Sequence, residues 1–164
     1  ANQANTVGDA LNYTAPSLTA LMKSNGNTEV ISTALILCAF TAMTGILIVG
    51  ILFRKKMNTS IFLNLTVLLV LVIPFLLPHM HDRYFYAADV LTAVFFIMMP
   101  ATFPVFACTQ FGSFLCYYGY IFERYFHLAG NYYLTNTVGA VAMLFAIILC
   151  CFFLWRNIAK AKTP

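Results

Sequence analysis

The fold is decided by residues 30–56, which read VISTALILCAFTAMTGILIVGILFRKK. Residues 30–53 carry no charged side chain. A helix of that length rises about 36 Å, enough to cross the roughly 30 Å hydrocarbon core of a bilayer. Arg54, Lys55 and Lys56 follow at once, and a basic cluster after an apolar run is typical of the cytoplasmic end of a membrane span. The stretch therefore predicts a transmembrane helix with a defined orientation.

The rest of the chain repeats this pattern. It is 62% hydrophobic and only 9% charged, which is outside the ordinary range of soluble domains and leaves no room for a soluble catalytic domain. The sequence predicts an all-α, polytopic transmembrane helical bundle of about five spans. A polar segment on the outer face, 1–29, comes first, and the spans are expected at about 30–53, 60–77, 90–108, 111–128 and 134–155.

Two features of the spans affect the topology. Pro100 and Pro104 predict a kink or break in the third span. The basic clusters at 54–56 and 156–162 are both expected on the cytoplasmic side, so an even number of crossings must separate them. Four spans satisfy this condition and place the C-terminus in the cytoplasm and the 79–89 loop on the outer face. A re-entrant or surface-lying fourth helix is the alternative.

Charge and cysteine content exclude several classes of function. The net charge of +4 comes from basic residues at membrane edges, so it gives no reason to expect nucleic-acid binding. The five cysteines lie inside apolar runs and lack a CxxC partner or a metal-ligand spacing. They are therefore predicted to be packing residues.

The loop at residues 77–89, LPHMHDRYFYAAD, is the candidate functional site. Ionisable groups beside hydrocarbon are costly unless they are paired, so their concentration here indicates a function. Arg83 offers a planar fork of donors suited to phosphate, and His81 can donate a second hydrogen bond. Asp82 or Asp89 could orient them. The adjacent aromatic residues, Tyr84, Phe85 and Tyr86, are typical of the headgroup level.

Two other interpretations of the loop stay open. The first is an interfacial anchor, in which an aromatic belt and an Asp82–Arg83 pair only hold the chain at the membrane surface. The second is a metal site formed by His79, His81 and Asp82, although no further His or Cys cluster completes the ligand set. The loop shows no spacing of Ser or Cys with His and an acid that would indicate nucleophilic catalysis.

A resemblance to a known family favours the phosphate-binding interpretation. The stretch from His81 to Tyr86, followed by a new span at Asp89–Val90, resembles the C-terminal outer-face motif of GT-C-type integral-membrane glycosyltransferases of the bacterial mannosyltransferase-like group. The stretch from Leu11 to Leu18 is similar to a second element of that group, but Thr14 interrupts it. The resemblance covers most of the chain in hydropathy order and about twenty residues in detail.

The resemblance implies transfer of a hexose, such as mannose, from a polyprenyl-phosphate donor on the non-cytosolic face of a bacterial plasma membrane. It implies that His81 and Arg83 bind the donor phosphate and stabilise the leaving group.

No metal is implied. No residue matches the general base of these enzymes, so we expect the chain to be a C-terminal donor-site portion whose partner is the N-terminal part of the same enzyme. The alternatives are a non-enzymatic membrane subunit and a lipid-linked-sugar flippase piece. The supporting residues are His79, Asp82, Tyr84, Tyr86 and Asp89.

Overall fold

The computed structural model describes residues 28–77, 85–126 and 132–162, with side chains for 33–77, 85–118 and 135–160. Within these ranges the chain forms five α-helices and no strand, which confirms the predicted all-α bundle. Short 3-10 helices at Arg54–Lys56 and Pro100–Thr102 follow the first and third α-helices. The α-helices are α1 (Thr28–Leu52), α2 (Thr59–Leu76), α3 (Tyr86–Met98), α4 (Phe103–Phe126) and α5 (Tyr132–Lys162).

Three helices in the described part of the chain are long and apolar enough to cross a bilayer. They cover Thr33–Leu52 in α1, Thr59–Leu76 in α2 and Thr135–Lys160 in α5. Each has at least 18 residues, and 18 residues rise about 27 Å, close to the thickness of the hydrocarbon core. The protein is therefore an integral membrane protein with a helical bundle inside the bilayer.

The range 90–108, predicted to be one span, is divided in the structure. Helix α3 ends at Met98, and Met99 leaves the helical conformation with φ −138° and ψ 86°. Pro100 cannot donate a backbone hydrogen bond, so it starts a new 3-10 turn instead of extending α3. Residues 103–108 belong to α4, together with most of the predicted fourth span. The break predicted from the prolines is present, but the boundary between the third and fourth helices lies earlier than expected.

Helices α3 and α4 form an antiparallel hairpin around this break. Asp89 near the start of α3 contacts Ser113 in the middle of α4, so α4 runs back along α3. Phe96 in α3 stacks on Phe106 in α4 with ring centroids 5.5 Å apart. The 13 residues of α3 rise about 20 Å, which is less than the hydrocarbon thickness. Helix α3 alone is therefore too short to cross the membrane.

The remaining helix contacts order the bundle. Helix α2 packs against α1, α3 and α5, and α4 packs against α3 and α5. Gly50 near the end of α1 lies beside Leu65 near the start of α2. The carboxamide of Asn64 near the start of α2 lies against Cys150 in the C-terminal half of α5. These contacts place the two basic clusters, at 54–56 and near Arg156, at the same end of the bundle.

Candidate functional site

Most residues of the predicted site lie outside the described residues. This applies to five of the seven: His79, His81, Asp82, Arg83 and Tyr84. Tyr86 and Asp89 are described, and both lie in the first turn of α3. The start of α3 lies at the opposite end of the bundle from the basic clusters, because α2 begins at the basic end and α3 follows the far end of α2.

Helix α3 has one buried face and one exposed face. Phe85, Ala88, Thr92 and Phe95 are at most 1% exposed, and their spacing of three or four residues places them on one side of the helix. Phe85 thus anchors the end of the HDRYFY motif in the core of the bundle.

The other face of α3 is apolar and exposed. Tyr86 is 68% exposed and Ile97 is 75% exposed. Val90 and Val94, which lie between them on the same face, are also exposed. An apolar strip therefore runs from Tyr86 along the whole length of α3, and in a membrane such a strip faces hydrocarbon chains.

Asp89 is the one acidic residue whose side chain is described, and two α4 side chains hold it. The Ser113 hydroxyl donates to Asp89 Oδ1 at 2.7 Å. The Gln110 side-chain amide donates to the Asp89 backbone carbonyl at 3.1 Å. Ser113 is buried and Asp89 is half-buried. The start of α3, where the motif ends, is therefore tied to the middle of α4 at both a side-chain and a backbone atom.

The environment of Asp89 favours its neutral form. Asp89 lies outside the three spans, and burial raises its pKa from the ordinary 3.8 to about 6, although the hydrogen bond from Ser113 lowers it in part. The position in the first turn of a helix also favours the charged form. Desolvation is the larger effect, so the carboxyl group can gain or lose a proton under mildly acidic conditions.

Sequence reasoning identified Asp89 but missed its partners. Gln110 falls in the gap between the spans predicted at 90–108 and 111–128, and Ser113 falls inside the second of these spans. The one available signal was their spacing of three residues, which places both on one face of a helix. That spacing does not show which residue of another helix they meet.

No metal centre occurs among the described residues, where no three His, Cys, Asp or Glu side chains come together. The possible ligands His79, His81 and Asp82 lie outside those residues, so that alternative stays a prediction. Among the described residues, the site contains the half-buried carboxyl group of Asp89, the hydroxyl donor of Ser113 and the amide donor of Gln110. The exposed apolar strip of α3 begins beside it at Tyr86.

Comparison of the chain with family models, with curated proteins and with solved structures finds no match.

Proposed function

We propose that this chain forms the donor-binding portion of a membrane glycosyltransferase that uses a polyprenyl-phosphate sugar. Arg83 and His81 bind the phosphate of the donor and stabilise the negative charge that develops there as the sugar leaves. The reaction takes place at the non-cytosolic face of a bacterial plasma membrane. The C-terminus then lies in the cytoplasm, because the positive-inside rule assigns the basic end of the bundle to that side.

One observation carries this proposal: the apolar strip of α3 starts at Tyr86, the last residue of the HDRYFY motif. A polyprenyl-phosphate donor combines an anionic head with a long hydrocarbon chain. The motif supplies a cation and an imidazole for the head, and the strip from Tyr86 to Ile97 supplies a surface for the chain. This order of polar and apolar groups along the sequence matches the order of groups in the donor.

The contact of Asp89 with Ser113 and Gln110 also supports this function, because it holds the start of α3 in place. Enzymes that act by electrostatic stabilisation require donors that are held in place before the reaction. The motif leads directly into the first turn of α3, and that turn is fastened to α4 through Asp89. The contact therefore fixes the start of the helix that follows the motif in the sequence.

The test replaces Arg83 in the full-length protein that carries this chain. We expect Arg83→Ala to reduce transfer from a radiolabelled polyprenyl-phosphate hexose by at least about 100-fold, as for loss of a transition-state donor. Arg83→Lys should recover part of the activity, because lysine keeps the charge but loses the planar fork. Lys55→Ala, at the opposite end of the bundle, is the control.

The outcome that contradicts the proposal is full transfer by Arg83→Ala, provided that the variant inserts into membranes at the level of the parent protein. Equal losses in Arg83→Ala and Lys55→Ala would also contradict it, because a general loss of positive charge would then explain the result.

A further inference from the structure

We propose that α3, the 3-10 turn at Pro100–Thr102 and α4 form a re-entrant hairpin. The hairpin enters the bilayer at the motif end of the bundle, turns inside the hydrocarbon and returns to the same face. The exposed apolar side chains at its turn contact lipid acyl chains and not the aqueous phase on the basic side. This inference rests on the packing of the described helices and is independent of the proposed sugar transfer.

The depth of the turn follows from the register of α4 on α5. The Cys116 thiol of α4 donates to the Asn136 carboxamide of α5 at 3.6 Å. A Cβ added at Gly112 would lie 3.0 Å from the Gly139 carbonyl oxygen and 3.1 Å from atoms of Met143. The contacts move forward along α5 as they move back along α4, so the two helices are antiparallel.

This register places the turn short of the basic end of the bundle. Phe103, the first residue of α4, comes nine residues before Gly112, so it is about level with Cys150. Arg156 lies six residues further along α5, about 9 Å nearer the basic end. The three residues of the 3-10 turn rise about 6 Å. Even if they point along the bundle axis, the hairpin ends before the level of Arg156.

Helix α2 gives the same depth through a separate contact. With the Asn64 carboxamide turned to satisfy both groups, its nitrogen donates to the Cys150 carbonyl at 3.2 Å and its oxygen accepts from the Leu154 N–H at 3.0 Å. Asn64 is therefore about level with the turn. Helix α2 begins at Thr59, about 7 Å nearer the basic end, and Arg54–Lys56 precede it. Both spans that pack against the hairpin, α2 and α5, therefore continue past its turn.

The side chains of the hairpin suit a position inside hydrocarbon. Residues 90–122 contain no Asp, Glu, Lys, Arg or His. The side chains around the turn are apolar and exposed: Ile97 is 75% exposed, Met98 53% and Phe103 52%. In water this apolar surface would be unfavourable. At the depth given by the register, lipid acyl chains cover it.

The backbone of the turn also suits hydrocarbon, where an unpaired N–H group is costly. Pro100 and Pro104 have no N–H group that could be left unpaired. The Met99 N–H donates to the Phe95 carbonyl and the Thr102 N–H donates to the Met99 carbonyl, both at 2.9 Å. The Thr102 hydroxyl donates to the Met99 carbonyl as well, at 2.8 Å. The chain therefore reverses with fewer free donors than a turn without proline would leave.

A re-entrant hairpin keeps the basic clusters on one side of the membrane. Only α2 and α5 then cross between 54–56 and Arg156, and two crossings satisfy the positive-inside rule. Helix α4 runs back toward the motif end, where Glu123 and Arg124 are the first charged residues in the sequence after Asp89. Both charged ends of the hairpin segment therefore belong to the motif face.

The experiment labels Ala101→Cys, at an exposed position of the turn, in the full-length protein in cells. A membrane-impermeant maleimide needs a thiolate in water, so we expect no labelling above the parent background in intact or permeabilised cells. Denaturation in SDS should make this cysteine reactive. Lys55→Cys and Ala87→Cys, at the two ends of the bundle, should each react from one side.

Two labelling results overturn the proposal. Reaction of Ala101→Cys from the side on which Lys55→Cys reacts would show that the hairpin crosses the membrane. Reaction from the side on which Ala87→Cys reacts would show that the hairpin lies on the surface.

A second measurement separates contact with lipid from burial in protein. Trp155, which is 73% exposed, is the one tryptophan of this chain. Emission is measured as the difference from Trp155→Phe, for the parent protein and for Phe103→Trp in the Trp155→Phe background. We expect the tryptophan of Phe103→Trp to be quenched most by phosphatidylcholine brominated deep in the acyl chain. Trp155 should be quenched most by lipid brominated near the headgroup. Equal depth profiles, or no quenching of Phe103→Trp by either lipid, would overturn the proposal.

Discussion

Asp89 shows two opposing effects on a single carboxyl group. Burial disfavours the charged form, and the hydrogen bond donated by Ser113 favours it. The net result is a pKa of about 6 in the folded protein, above the ordinary value of 3.8. The folded state therefore binds more protons at Asp89 than the unfolded state between these two pH values, and this contribution to stability falls as the pH rises.

This difference predicts a pH dependence that belongs to Asp89. The Tm of the parent protein in non-ionic detergent should contain a component that falls as the pH rises from 3.8 to about 6. Asp89→Asn should lack that component, because asparagine does not titrate. Thermal unfolding followed by circular dichroism at several pH values measures both. Parallel Tm curves for the two proteins would show that Asp89 makes no such contribution.

The partner of Asp89 gives a related prediction. Ser113→Ala removes the donor to the carboxylate, which is the form that needs the hydrogen bond most. We therefore expect a larger decrease in Tm at pH 7 than at pH 4. Ser60→Ala, which changes a half-buried serine at the start of α2, should show no such pH difference. An equal decrease for Ser113→Ala at both pH values would contradict this account of the hydrogen bond.

At the scale of elements, α4 and α5 approach each other closely at Gly112. A Cβ added at Gly112 would lie 3.0 Å from the Gly139 carbonyl oxygen and 3.1 Å from atoms of Met143. Small residues allow such close approach of membrane helices, whose association depends on van der Waals packing and hydrogen bonds. Cys116, one turn further along α4, donates from its thiol to the Asn136 carboxamide of α5 at 3.6 Å.

Gly112 and Gly45 form a matched pair for testing this contact. Gly112→Ala should destabilise the protein by about 1–3 kcal/mol, because the new methyl group forces the backbones of α4 and α5 apart. Gly45→Ala should be neutral or stabilising by up to about 1 kcal/mol, since its Cβ meets nothing within 4 Å and alanine favours helix. Reversible unfolding in mixed detergent micelles measures both free energies. Equal effects would rule out a close contact at Gly112.

At the scale of the whole molecule, the antiparallel contacts divide the bundle into a basic end and a motif end. The α1–α2 and α2–α5 contacts bring 54–56 and Arg156 to one end. Helix α3 starts at the other end and does not cross by itself. The order of the described helices therefore places 54–56 and Arg156 at one end of the bundle and the start of α3 at the other.

Thiol labelling tests the orientation of the two ends. A cysteine at Ala87, an exposed position beside the motif, should react with a membrane-impermeant reagent added to intact cells. A cysteine at Lys55 should react only after permeabilisation, since positive clusters favour the cytoplasmic side. The parent protein, with its five native cysteines, gives the background for both. If Lys55→Cys were labelled in intact cells and Ala87→Cys were not, the basic end of the bundle would lie outside the cell, opposite to the predicted orientation.

The sequence by itself determined that the protein is an all-helical membrane bundle. Uncharged runs such as 30–53 specify helices, because a bilayer satisfies no backbone hydrogen bond and a helix satisfies its own. The basic residues after these runs indicated which helix ends lie together, and Pro100 indicated the break after α3. These features are local, so they can be recognised without knowledge of the neighbouring helices.

Only the tertiary structure decided which residues meet. Ser113 lies 24 positions from Asp89, and Asn64 lies 86 positions from Cys150. Membrane helices are apolar on the lipid side and on the protein side alike, so hydrophobic periodicity does not reveal which face of α2, α4 or α5 is buried. The rotation and register of each helix depend on close contacts such as that at Gly112, and these arise when the whole bundle packs.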